Sequence, residues 1–188
     1  MTVKQLYIET DEIYFVTITC HNWLQLFQMT DFYSNIYDWF HHLSKKKQQI
    51  VGYVIMPNHL HALIYIPPES EPINKIIGEG KRFMAYKIVK LLNKLCLTDT
   101  IEYLQHSVIF DDLIKGKKHQ VFKRKSDIKL CYNERIILQK LDYMHANPVS
   151  GKWHLVDDYT DYEHSSASFY ELNKQSTFDI VHYKDIRG

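Results

Sequence analysis

The chain has 188 residues, 45% of them hydrophobic and 24% charged, with a formal net charge of +1 at pH 7. That length suits one domain, or one domain with an appendage, and is enough for a real core. The composition is that of an ordinary folded protein, and the near-zero charge excludes a globally basic nucleic-acid binder.

In chain order, Met1-Thr2-Val3-Lys4-Gln5 lacks the apolar run of a signal peptide. No later segment is apolar enough to span a bilayer, so the expectation is a cytoplasmic protein with no membrane partner. Glu12 to Cys20, rich in β-branched and aromatic residues, predicts a strand. Thr30 or Asp31 can cap a helix running to about Gln48, with Phe32, Ile36, Phe40 and Leu43 at helical spacing. Ile50 to Met56 predicts a second strand, Pro57-Asn58 a turn, and Leu60 to Ile66 a third strand stopped by Pro67-Pro68. Ile73 to Cys96 predicts a long helix, weakened in its first half by Gly78 and Gly80. A short helix over Thr98–Ile109, a polar loop over Asp111–Lys118 and a fourth strand over Gln120–Lys125 follow. Asn133 caps a helix from Glu134 to about Ala146, which Pro148 prevents from continuing.

Strand, helix, strand, strand, helix, strand is the order of a split βαβ, ferredoxin-like unit, an α+β fold in which the first and third strands are central. The chain divides into residues 1–150 and a C-terminal extension, 151–188, packed on the same domain. The extension signals weakly, with a turn at Ser150-Gly151, a serine-rich stretch at 165–168 and a strand pattern at Phe178–Tyr183. Cys20, Cys96 and Cys131 are odd in number and widely spaced, which predicts reduced, mostly buried thiols.

The most informative run is Tyr53-Val54-Ile55-Met56-Pro57-Asn58-His59-Leu60-His61. Side chains alternate along a strand, so His59 and His61 point to one face while Leu60 anchors the other. Two such imidazoles can share a divalent metal. With eleven histidines in the chain such a pair also arises by chance, and solvent-facing rings without metal are the plain alternative. Its weight comes from a second run, Leu141-Asp142-Tyr143-Met144-His145-Ala146-Asn147-Pro148-Val149. There Ile137, Leu141 and Met144 form the core stripe, and Tyr143 lies on a flank with Lys140 and Asn147. Tyr143 and Asn147, four apart, can face one point, and an Asn147 oxygen can complete a metal site. His145 points away from Tyr143 and reads as structural. A basic cluster, Lys115, Lys117, Lys118, Lys123 and Arg124, can hold phosphates or be a solvated loop.

These two runs resemble the His-hydrophobe-His motif and the nucleophile helix of the single-tyrosine HUH transposases of small insertion sequences. The branch most resembled is that of the REP-associated tyrosine transposases, where Tyr-x-x-x-Asn-Pro-Val is typical. Tyr14-Phe15-Val16-Thr17, Gly80-Lys81-Arg82-Phe83 and Asp161-Tyr162-Glu163-His164-Ser165-Ser166 are weaker matches in the same order. The resemblance implies a tyrosine-bearing helix on a ferredoxin-like sheet, with residues 1–150 as the catalytic domain. It implies metal-dependent cleavage and rejoining of single-stranded or hairpin DNA through a 5′-phosphotyrosine. Tyr143 then matches the nucleophile, and His59 and His61 match ligands of magnesium or manganese. Asn147 stands where the smallest members place a glutamine ligand. Lys115, Lys117, Lys118, Lys123, Arg124 and Lys140 are candidate DNA contacts, and the protein is expected as monomer or homodimer. A non-catalytic single-stranded DNA-binding relative and an RNA-binding ferredoxin-like module with an incidental histidine pair remain as alternatives.

Overall fold

The computed structural model describes residues 9–186; the reading of Met1–Gln5 falls outside them. The elements are β1 (Glu12–Thr19), α1 (Leu26–Met29), α2 (Tyr33–Lys45), β2 (Gln49–Met56), β3 (His59–Ile66), α3 (Ile73–Lys94), α4 (Thr98–His106), α5 (Phe110–Ile114), β4 (Asp127–Leu130), α6 (Glu134–His145) and α7 (Ala167–Leu172). The strands form one antiparallel sheet in the order β2-β3-β1-β4, with β1 and β3 central, as the split βαβ unit requires. No helix among the described residues is long and apolar enough to cross a membrane.

Alternation divides the sheet into two apolar faces. Tyr14, Val16, Ile18, Tyr53, Ile55, Leu60, Ala62 and Ile64 pack against α2 and α3 through Ile36, Phe40, Leu43, Ile77, Met84 and Ile88. Ile13, Phe15, Val54, Met56, Leu63 and Tyr65 pack against Ile137, Leu141 and Met144 of α6. His59 and His61 belong to the second face, in step with Leu63 and Tyr65. Two glycines permit these approaches. Gly52 lies at a bulge in the β2–β3 register, where a Cβ would stand 2.6 Å from Met144 Cε and 2.8 Å from Leu141 Cδ2. Gly80 lets α3 meet α2, since a Cβ there would be 2.6 Å from Trp39 Nε1.

The segment after α6 runs along the free edge of β2. Val54 bridges Ser165, Ser166 N donates to Tyr53 O (2.9 Å), and the Tyr162 and Tyr170 hydroxyls donate to Ile55 O (2.9 Å) and Val51 O (2.7 Å). An edge strand's outward carbonyls are thereby satisfied and shielded from further pairing.

Several local expectations are corrected. The fourth strand is Asp127–Leu130, not Gln120–Lys125. In the earlier run only Phe122 makes a bridge, to Cys20 just beyond the end of β1. Asp-Ile-Lys-Leu alternates as a half-exposed edge strand should. The second helix begins at Tyr33 with no side-chain cap. Asp31 is left-handed (φ 46°), and Thr30 donates its hydroxyl to Leu26 O (2.7 Å) at the end of α1. Part of the 111–118 loop is helical, in α5. The 178–183 run forms no strand: Phe178 is buried in the core, and Val181 N makes a bond to Ile50 O. All three cysteines are free, but Cys96 is exposed, just beyond α3.

Candidate active site

Both histidines of the pair are held by a neighbour at Nδ1. Asn58 Oδ1 lies 2.7 Å from His59 Nδ1, and Thr17 Oγ1 lies 2.8 Å from His61 Nδ1. Thr17 is the direct β1 partner of His61 in the antiparallel register. Asn58 Nδ2 donates to Trp23 O (3.0 Å), so its oxygen is the atom that accepts the His59 proton. Thr17 Oγ1 can accept from His61 Nδ1 in the same way, and in that tautomer both neutral rings present a bare Nε2. The ring centroids are 4.8 Å apart, and the residues are only 5% and 4% exposed. Burial pushes the His59 pKa down to about 4; the Asn147 hydrogen bond opposes this and Lys123 adds to it. Burial, with His59 and Lys140 adding to it, pushes His61 to about 3. Both rings are therefore neutral at physiological pH, the form in which an imidazole could hold a metal.

The end of α6 closes over this pair. Asn133 caps the helix by accepting from Ile136 N (3.0 Å), which starts it in the right phase. Tyr143, 55% exposed, sets its ring 5.4 Å from that of His61 and 6.2 Å from that of Phe15. Asn147, in the 3-10 turn Asn147–Val149, donates Nδ2 to Tyr143 O (2.9 Å) and Met144 O (3.2 Å). Its Oδ1 is thus the atom left for the hydrogen bond to His59. When His59 is neutral, its Nε2 lone pair and the Asn147 amide oxygen are donor atoms of the kind a divalent cation takes. Two imidazoles and one amide oxygen are a donor set that could hold a divalent ion. Among the described residues no three His, Cys, Asp or Glu side chains gather to hold a metal elsewhere.

The basic candidates separate. Lys140 is 5.0 Å from the Phe15 ring centre and 5.8 Å from that of Tyr143. Lys123 lies 4.0 Å over the Trp23 ring, which in turn stands edge-on to His59 at 5.7 Å. These two cations border the site. Lys117 and Arg124 share Asp112, each at 3.3 Å. Lys115 and Lys118 are exposed around the end of α5. His145 is buried and bonds Ser166 Oγ (2.9 Å), tying α6 to the C-terminal segment. Thr17, Asn58 and Trp23 were given no site role in the sequence. Asn58 stood in the motif run only as a turn residue, Thr17 only within a strand match, and the strand register is what brings Thr17 to His61. A groove of about 1100 Å³ lies between α2 and α3, on the opposite side of the sheet, and takes no part in this constellation.

A ferredoxin-like sheet that buries a histidine pair beneath a tyrosine-bearing helix defines the architectural class. Among solved structures, the chain is similar to a REP-associated tyrosine transposase bound to a REP hairpin, at 16% identity and a TM-score of 0.61, over 88% of this chain and 82% of that one. A Deinococcus radiodurans protein assigned as a transposase is similar over 76% of this chain and 95% of its own, at 14% identity and a TM-score of 0.43. At 16% identity the likeness to the first is one of fold, and it agrees with the fold expected from the sequence resemblance. No family model and no curated protein matches the sequence.

Proposed function

We propose that this protein is a transposase-like enzyme that cleaves and rejoins single-stranded DNA at hairpin-associated sites by transesterification through Tyr143. The observation that carries this reading is the exposed Tyr143 phenol set against a buried, neutral His59–His61 pair. The likeness in fold to a transposase solved with a DNA hairpin supports the choice of substrate. The sheet face that an RNA-binding module would leave open is covered by α6, which disfavours that alternative.

In this reading the Tyr143 oxygen attacks the scissile phosphorus in line. The O–P bond to tyrosine forms as the P–O3′ bond breaks. The phenolic proton passes to solvent, and the departing 3′ oxygen takes one up. The phosphodiester energy is kept in the 5′-phosphotyrosyl link, so the reverse attack by a 3′-hydroxyl rejoins DNA without a nucleotide cofactor. The Lys140 ammonium, 5.8 Å from the centre of the Tyr143 ring, is placed to meet the negative charge of the scissile phosphate beside the attacking oxygen. His59 and His61, through Nε2, and the Asn147 amide oxygen would hold a magnesium or manganese ion. When bound, that ion supplies Lewis-acid stabilisation of the charge developing on the phosphate. Lys123 is the better placed of the loop cations to hold the strand.

The test is a covalent adduct. The protein is incubated with manganese and end-labelled hairpins carrying randomised single-stranded flanks, then resolved on a denaturing gel. A shifted band is expected with the native chain and none with Tyr143→Phe. An adduct that survives this substitution would rule out the nucleophile, and the absence of any adduct across the randomised pool would rule out the activity.

A further inference from the structure

Trp23 is a large aromatic residue left 51% exposed beside the site. The backbone that presents it is held in an unfavourable shape. Asn22 (φ 47°) and Trp23 (φ 58°) are successive non-glycine residues in the left-handed region. Non-glycine residues enter this region at a steric cost and persist there where surrounding contacts impose it. Here the contacts are plain. Trp23 N donates to Cys20 O (3.1 Å), Cys20 N to Asn58 O (2.9 Å), and His21 N to Val121 O (2.8 Å). Asn58, which orients His59 through Oδ1, holds Trp23 O through Nδ2. One buried side chain thus fixes both the ligand candidate and the indole.

The rings of Trp23, His59, His61 and Tyr143 follow one another at centroid spacings of 5.7, 4.8 and 5.4 Å. Trp23 and Tyr143 therefore flank the histidine pair at its two ends. The Lys123 ammonium lies 4.0 Å over the indole. Its own loop is pinned from below by Lys81, whose Nζ donates to Lys123 O (2.7 Å) and Ser126 Oγ (3.2 Å). An exposed indole with a cation beside it is a platform for a nucleobase and its phosphate.

We infer that Trp23 stacks the base of the nucleotide immediately 5′ of the scissile phosphate, with Lys123 holding its backbone, so that the freed 3′-hydroxyl strand stays in place for rejoining. The inference rests on the transesterification reading. In-line displacement puts the nucleophile and the leaving oxygen on opposite sides of phosphorus. With Tyr143 at the His61 end, the leaving strand departs toward His59 and Trp23. That strand is the one the tyrosine does not hold covalently, so it needs a non-covalent clamp.

The test uses the full chain, manganese and DNA hairpins whose randomised flanks carry 5-iododeoxyuridine, a base that cross-links to stacked aromatic side chains on long-wavelength irradiation. Peptide mapping is expected to find the cross-link at Trp23, from a base on the 5′ side of the cleavage point. A Tyr143 adduct with cross-links only at other aromatics, or only from the 3′ side, overturns this inference and leaves transesterification standing. A Trp23 cross-link with no adduct overturns the transesterification reading and, with it, the assignment of the indole to the leaving strand. In parallel, Trp23→Ala is expected to lower the ratio of rejoined to cleaved DNA about ten-fold, the order of one lost base stack. Trp23→Phe, which keeps an aromatic face, is expected to retain most of it. Equal losses in cleavage and rejoining for Trp23→Ala would overturn the assignment of the indole to the leaving strand.

Discussion

Burial alone would make His59 and His61 poor bases but would not aim them; the aim comes from Asn58 and Thr17 at the two Nδ1 atoms. Partners of this kind fix the tautomer and ring orientation of a metal-binding histidine, and losing one typically costs 10–100-fold in affinity or activity. Thr17→Val keeps the β-branched shape on a strand and removes only the hydroxyl. We expect it to weaken manganese binding, read by titration calorimetry, by about ten-fold or more. A change of less than two-fold would show that packing against Phe15, whose ring stacks on His61 at 5.2 Å, orients the imidazole by itself. His59, His61, Tyr143 and Asn147 were legible in the sequence because each lies in a short run with a fixed spacing. Thr17 and Trp23 were not, because their relation to the pair runs across strands and through a folded loop.

At the scale of elements, two glycines in one helix have opposite meanings. Gly78 and Gly80 both weaken α3 by propensity, since glycine costs about 1 kcal/mol relative to alanine in a helix interior. Around Gly78 nothing lies within 4 Å of an added Cβ, whereas around Gly80 the Trp39 indole is already at 2.6 Å. Gly78→Ala is expected to stabilise the protein by up to about 1 kcal/mol. Gly80→Ala is expected to destabilise it by about 1–2 kcal/mol, because the overlap with the indole outweighs the gain in propensity. Urea unfolding midpoints check both; a stabilised Gly80→Ala would mean that α2 and α3 can separate freely. The long elements were readable from periodicity, as the buried Ile36, Phe40, Leu43, Met84 and Ile88 attest. The fourth strand was misplaced because four alternating residues at an edge give less signal than the apolar Val121-Phe122 before them. That earlier run is buried too, but by packing in the main core rather than by extended pairing.

For the whole molecule, the buried histidines make stability depend on pH. His145, like His59, is held near pKa 4 by burial. An unfolded histidine titrates near 6.5, so between about pH 6.5 and 4 the unfolded chain binds protons that the native rings refuse. The stabilisation is therefore complete above pH 6.5 and is lost as pH falls toward 4, by on the order of 3 kcal/mol per ring. We expect the Tm to fall over this window and the fall to be shallower in His145→Gln, which can still bond Ser166. An unchanged slope in that variant would show that His145 is protonated in the native state. The sequence by itself determined the α+β architecture and the two motifs, because alternation and helical periodicity are local consequences of where apolar side chains must go. Only the tertiary structure decided that Tyr143 meets His61, that Asn147 turns its oxygen to His59, and that Trp23 flanks the pair opposite Tyr143. Those relations depend on strand register, on the close approach that Gly52 permits and on a loop locked by Asn58, and none of them leaves a periodic trace in the chain.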